Sequence, residues 1–288
     1  MKDSSRRYVL PPGEFPSVTQ ILDAGNDFLW VHVAKIKEEV YRLDQIATEG
    51  GEVEVWACDD EDNWELIKAP AARMLRDGEY ISKAGLRYMK QAADRGTGVH
   101  FLFEAWGQGI HPSVEEAHEL AQWVVVERGL RCDVGELASY LKPAIRWLDK
   151  YQPVFELQEL VVCDPLRGYA GRTDMRLMHI GDDTYIADVK SHGQLKRNWL
   201  MQLAAYRAAP NGYMLQGGET VAVEIKQEWR GVPGCMIMCT PERCGHRVVS
   251  PSEMDYYLDG FYGQLQTYKI MHMGQLPAAR AQWVRAED

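Results

Sequence analysis

Apolar residues recur at helical spacing through the first half of the chain and at strand spacing through much of the second. The stretch FPSVTQIL offers Ser17 or Thr19 as a helix cap ahead of an apolar run. Over residues 27–47, Phe28, Val31, Ile36, Val40 and Leu43 fall near one side of an amphipathic helix. Gly50-Gly51 and the acidic residues 59–62 interrupt that pattern before a short helix at 71–76. Residues 82–106 return to helical spacing, although Gly96 and Gly98 lie inside it. Each glycine costs about 1 kcal/mol in a helix interior, so the pair implies close approach of another backbone or of a ligand. Residues 113–128 and 133–150 read as two scaffold helices bounded by Pro112 and Gly129. Trp123, Val126 and Leu130 are expected to pack inward from the first, and Leu137, Leu141 and Leu148 from the second.

Alternation takes over at 155–163. Phe155, Leu157, Glu159, Val161 and Cys163 share one face, leaving Glu159 as its only charge. Burial of an unpartnered carboxylate is costly, so Glu159 is expected to meet a cation, a metal-bound water or Lys190, unless the strand is an exposed edge. Runs at 172–180 and 184–190 flank Gly181-Asp182-Asp183 as a hairpin. A helix follows, with Asn198, Gln202 and Tyr206 in one polar stripe and Leu195, Trp199 and Leu203 on an apolar side. Asn211-Gly212 and Gly217-Gly218 read as loops, and Val221, Val223 and Ile225 mark a strand over 220–227. A crossover places that strand parallel to 184–190. Further strands at 234–240 and 247–250 and a helix at 252–271 complete the domain, with the last fifteen residues loosely held. The prediction is an α/β protein with a mixed central sheet, core order αβββαβ, flanking helices and an N-terminal helical region. Residues 1–80 form that mostly helical region and 81–288 the core.

The hairpin carries candidate chemistry in Asp174, Asp188 and Lys190. If Ile180 pairs with Thr184 across a three-residue loop, Lys190 falls opposite Asp174 with Asp188 one diagonal step away; a two-residue loop separates the aspartates onto opposite faces. Two carboxylates and an ammonium at one end of a hairpin equip a divalent-cation site suited to attack on a phosphodiester. A solvated surface salt bridge is the bland alternative. At 288 residues and 46% hydrophobic, the chain can bury a sizeable core. No apolar run is long enough for a membrane span, and the opening residues lack a signal-peptide core, so a cytoplasmic location is expected, bacterial or in a phage-infected host. The net charge of -10 excludes bulk electrostatic coating of nucleic acid. A local basic lining is still available from Arg167, Arg172, Arg176, Lys190, Lys196, Arg197 and Arg207 around the hairpin and helix.

The segments GYAGRTDMRL, ADVKS and QLAAYRAA together resemble the central signature of the PD-(D/E)XK nuclease superfamily, most closely small phage-encoded members of its RecB-like exonuclease branch. The matched positions are Gly171 and Asp174, Asp188 and Lys190, and Gln202 and Tyr206. Arg95-Gly96-Thr97-Gly98-Val99-His100 is similar to that family's Gly-Thr-x-x-His motif, although as a bare sequence His100 reads as a core histidine. The resemblance implies a restriction-endonuclease-like core and a Mg2+- or Mn2+-dependent deoxyribonuclease acting on linear DNA, single- or double-stranded, in recombination or DNA processing. It implies His100, Asp174, Asp188 and the Val189 carbonyl as metal ligands, with His179 and His192 as rivals to His100. Glu159 would position the attacking water or help hold a second ion, and Lys190 would orient that water. Gln202 and Tyr206 would steady phosphates or Lys190, with Asn198, Arg172, Lys196 and Arg197 on the nucleic acid. A phage or host recombination protein is the implied partner, and no membrane. Some RecB-like nucleases end in a cysteine trio that binds an iron-sulfur cluster. Here Cys235, Cys239 and Cys244 are spaced more widely and 234–240 alternates as a strand, so reduced thiols are expected instead. The rival function is a non-catalytic nucleic-acid- or protein-binding protein that keeps the fold.

Overall fold

The computed structural model describes residues 7–23, 29–58, 64–216 and 219–272. In chain order the elements are β1 (Arg7–Leu10), β2 (Gly13–Pro16), α1 (Val18–Asp23), α2 (Leu29–Thr48), β3 (Glu52–Cys58), β4 (Trp64–Pro70), α3 (Ala71–Arg76), α4 (Gly78–Ser82), α5 (Ala84–Gly107), α6 (Ala117–Arg128) and α7 (Val134–Tyr151). There follow β5 (Val154–Asp164), β6 (Tyr169–Ile180), β7 (Asp183–Lys190), α8 (Arg197–Ala208), β8 (Asn211–Gln216), β9 (Glu219–Glu224), β10 (Gly234–Cys239), β11 (Cys244–Val249) and α9 (Pro251–His272). The protein is therefore α/β, with a helical N-terminal region and a mixed sheet. Phe28, the acidic stretch 59–62, Gly217-Gly218 and the last fifteen residues lie outside what is described, as does the Val31 side chain. No described helix is long and apolar enough to cross a membrane.

Contacts divide the chain into two compact units that do not follow a boundary at residue 80. One contains Met1–Asn26, Leu148–Met238 and Gly245–Asp288, and the other Asp27–Trp147 and Cys239–Cys244. In the second unit β3 and β4 pair antiparallel, and Val53, Val55, Ala69, Ala71, Met74 and Tyr80 pack with Leu43 of α2. The alternation Glu52, Val53, Glu54, Val55 is the signal for β3 that a helical reading of this region omits. Gly98 has its reason: a Cβ there would lie 2.7 Å from both methyl groups of Leu137, so the glycine lets α5 close on a side chain of α7, not on a backbone or ligand. Asp133 caps α7 by accepting the Glu136 N–H at 2.7 Å. Leu137, Leu141 and Leu148 are fully buried, as periodicity predicts. On α6 the phase differs. Ala117, Ala121 and Val124 face inward, while Trp123 is 50% and Val126 71% exposed. Small alanines form the packed face, and large side chains misplace it.

The first unit is built on a seven-stranded sheet of order β11-β10-β7-β6-β5-β8-β9. The strand parallel to β7 is β10, not the segment at 220–227. Its run GCMIMC is almost wholly buried, the pattern of a strand covered on both faces, whereas β9 is mostly exposed at the edge of the sheet. Residues 211–216, read as opening a loop, form β8, which joins β9 to β5. One face of the sheet packs Leu160, Val162, Ile186 and Met236 against α1, α8 and α9. The other sets Val161, Cys163, Ala170 and Tyr213 against the β1–β2 hairpin. Ser17 caps α1 as predicted, its Oγ accepting the Gln20 N–H at 3.0 Å. Helix α9 opens with a reciprocal box: the Ser250 N–H donates to Glu253 and the Glu253 N–H to Ser250 Oγ.

Candidate active site

Strands β5, β6 and β7 and helix α8 position the candidate residues, and irregular pairing decides how. Ile180 pairs with Asp183, so the turn encloses two residues, not the three on which the predicted register depends. Alone, that register would put Asp174 and Asp188 on opposite faces. The ladder slips between Met175 and Met178, however, where β6 advances three residues against two of β7 before Met175 meets Ala187. This bulge restores the parity. Continued one step, the register sets Asp174 opposite Asp188, and an Asp174 oxygen accepts the Val189 N–H at 2.9 Å.

Beside them β5 is distorted too. Its register slips on either side of Leu157, and Glu159 takes a φ of 52°, uncommon for a residue with a side chain. The pairs Gln158–Met175 and Leu160–Thr173 bracket Glu159 opposite Asp174. One carboxylate oxygen of each lies within 4.8 Å of the other. Glu159 does not sit alone on a buried apolar face, since Phe155 and Leu157 are only half-buried. Its carboxylate is bound by Arg172, whose Nε is 3.0 Å away. Arg172 is thus a cation that meets Glu159. Tyr8 of β1, 7% exposed, lies within electrostatic reach of both. Burial raises its pKa first, with Arg172 and Glu159 acting in opposite directions. No local sequence signal ties Tyr8 to this site.

Asp188 is only 2% exposed and contacts Lys190 Nζ at 2.6 Å. Burial alone would lower the Lys190 pKa, but Asp188 and Asp174 more than offset it and hold the ammonium above its ordinary value. Lys190 also reaches Gln202 Oε1 at 3.4 Å, and Gln202 Nε2 donates to Tyr206 Oη at 2.7 Å. The Gln202–Tyr206 stripe therefore faces the carboxylates, with Tyr206 3% exposed. Burial raises the Tyr206 pKa well above that of a free phenol. Helix α8 is fixed to β6 from below. The Tyr169 hydroxyl donates to the Ala205 carbonyl, and Arg176 donates to those of Tyr206 and Arg207, satisfying its last turn. Gly171 leaves room for the Tyr206 ring: a Cβ there would lie 2.3 Å from Tyr206 Cε1.

The basic lining is smaller than the sequence suggests. Arg176 is fully buried as a helix cap, its pKa pushed down to about 10 by burial and by Arg230 and Arg207. Arg207 is buried against Asp255, and Lys190 is held by Asp188. Arg167, Arg172, Lys196 and Arg197 are exposed, and Asn198 is half-buried. Lys196 lies over the Trp199 ring at 5.2 Å. His179 bonds Glu156 and Thr184 at the turn end of the hairpin, and His192 bonds Gln194. His100 lies half-buried on α5 in the second unit. Cys235 and Cys239 are four residues apart on an extended strand, about 13 Å by strand rise. Compared with protein-family models and with curated proteins, the chain matches none.

Proposed function

We propose that the protein is a divalent-metal-dependent deoxyribonuclease that hydrolyses linear DNA from its ends, in the cytoplasm of a bacterium or a phage-infected host. The observation that carries this reading is the bulge-restored register that sets Asp174 opposite Asp188, with Lys190 against Asp188 and Glu159 across from Asp174. It joins the lettering that resembles the PD-(D/E)XK superfamily. Two carboxylate oxygens within 4.8 Å of one another suit a hard cation that prefers oxygen donors, so the residues fit Mg2+ or Mn2+. Asp174 and Glu159 would hold it, with Asp188, the Val189 carbonyl and His100 as the further ligands that the resemblance names. Such an ion, when bound, lowers the pKa of water and polarises the phosphate.

The chain's own residues do the rest. The Lys190 ammonium, kept charged by Asp188 and Asp174, offsets negative charge growing on the phosphate oxygens and orients the attacking water. Gln202, locked by Tyr206, fixes the direction of Lys190. Arg172, Lys196, Arg197 and Asn198 grip backbone phosphates, with a phage or host recombination protein as partner. One observation favours a second reading, a non-catalytic nucleic-acid- or protein-binding protein on this fold: Arg176, Arg207 and Lys190 turn inward, which leaves only Arg167, Arg172, Lys196 and Arg197 of the predicted basic lining exposed, on a chain of net charge -10.

The test is degradation of end-labelled single- and double-stranded DNA, with and without Mn2+, by the parent and by Lys190→Ala, Asp174→Ala and His100→Ala. Metal-dependent cleavage by the parent should fall by about two orders of magnitude or more in each variant, the scale of losing an electrostatic stabiliser. Binding without cleavage in the parent, and no rise in its melting temperature with Mn2+, would favour the second reading.

A further inference from the structure

The β10–β11 turn places two thiols face to face. The Thr240 N–H donates to the Arg243 carbonyl at 2.8 Å, and the Arg243 N–H returns to Thr240 Oγ1 at 3.2 Å. Thr240 and Arg243 are thus a hydrogen-bonded pair. One step back along the two adjacent strands, Cys239 and Cys244 face each other at a non-hydrogen-bonded position. Such pairs have Cα atoms about 4.5 Å apart, at the near end of the roughly 4.4–6.8 Å that a disulfide spans. Both cysteines are free, Cys239 buried and Cys244 partly exposed. We propose that Cys239 and Cys244 form a reversible redox pair, closing to a disulfide when a disulfide oxidant such as oxidised glutathione reaches Cys244.

Exposure sets the order of events. The Cys244 thiolate attacks one sulfur of the oxidant, forming a mixed disulfide and releasing one glutathione thiolate. The Cys239 thiolate then attacks Cys244 Sγ and expels the second. Two thiol protons are lost, two electrons pass to the oxidant, and one disulfide is exchanged for another. The hydrogen bond with Cys244, and then burial, hold the Cys239 pKa above that of a free thiol, so the closing step quickens as pH rises. A bond that closes so short a loop restrains the unfolded chain little, and cross-strand geometry leaves it easily reduced. Its use is therefore reversible chemistry and not a structural staple. Met238, immediately before Cys239, is the β10 residue opposite Lys190.

The full chain, incubated with oxidised glutathione at mildly alkaline pH, quenched and alkylated, should lose two of its six alkylatable thiols. Trypsin cuts after Arg243, so the bond should join the peptide 231–243 to 244–247, with fragmentation assigning it to Cys239 over Cys235. Dithiothreitol should separate them. Cys244→Ser, with an unchanged melting temperature, should lose the link and leave Cys239 unmodified. Six alkylated cysteines, a link through Cys235, or a glutathione adduct on Cys244 that persists at alkaline pH would each overturn the proposal. The readout is a mass and does not depend on nuclease activity.

Discussion

Gly171→Ala asks whether one absent side chain holds the site together. Glycine to alanine in a strand ordinarily stabilises by about 0.4–1 kcal/mol, because the unfolded chain loses freedom. Here the new methyl would lie 2.3 Å from Tyr206 Cε1, 3.1 Å from Cζ and 3.2 Å from Cδ1. The ring cannot swing aside cheaply. It is buried, its hydroxyl accepts from Gln202, and its carbonyl is bound by Arg176. Overpacking costs about 1–3 kcal/mol, and losing the Gln202 bond roughly 1 kcal/mol more. At about 2–4 °C per kcal/mol for a chain of this size class, Tm should fall on the order of 10 °C. Urea unfolding of a double-mutant cycle isolates the cause. In a Tyr206→Ala background the methyl has somewhere to go, so Gly171→Ala should become neutral there, a coupling of roughly 2–3 kcal/mol. Additive costs, or a single variant as stable as the parent, would refute the packing argument.

Two further predictions concern stability. Ser250→Ala removes one half of the box that opens α9 and should cost about 1 kcal/mol in urea unfolding; an unchanged midpoint would show the box idle. His246 sits half-buried with Tyr151 edge-on at 5.0 Å, and burial, then Lys150, lower its pKa below the ordinary 6.5. Folding therefore favours the neutral ring. Its contribution is whole above pH 6.5 and is lost as pH falls through the folded value, because the unfolded chain takes up the proton first. His246→Gln should lose less Tm than the parent below pH 6.5, and parallel curves would dismiss this contribution.

Much of the fold was legible because periodicity reports burial on one element at a time. The helices at α5, α7 and α9 and the strands at β5, β6 and β7 match their patterns within a few residues. The misses share a cause, which is that partners distant in sequence decide them. The exposure of Trp123 follows from Ala117 and Ala121 doing the packing, and the pairing of β10 with β7 depends on which strand both faces bury. The inward turn of Arg176 and Arg207 depends on the open carbonyls ending α8 and on Asp255 of α9. A cluster of basic letters does not distinguish a cation that caps a helix from one that meets solvent.

The candidate site was legible in its letters and not in its geometry. Parity along a hairpin is counted from its turn, so a count that ends on a two-residue turn separates Asp174 from Asp188. One extra residue between Met175 and Met178 reverses that count. No side-chain pattern marks it, because Met175, Leu177 and Met178 are all buried and either phase would satisfy them. With a two-residue turn, Asp174 and Asp188 share a face only because the strand is irregular between the turn and the first aspartate. Glu159, with its positive φ, shows the same feature on the neighbouring strand. Both departures from regular pairing fall where carboxylates are brought together, the β6 slip beside Asp174 and the β5 slips beside Glu159.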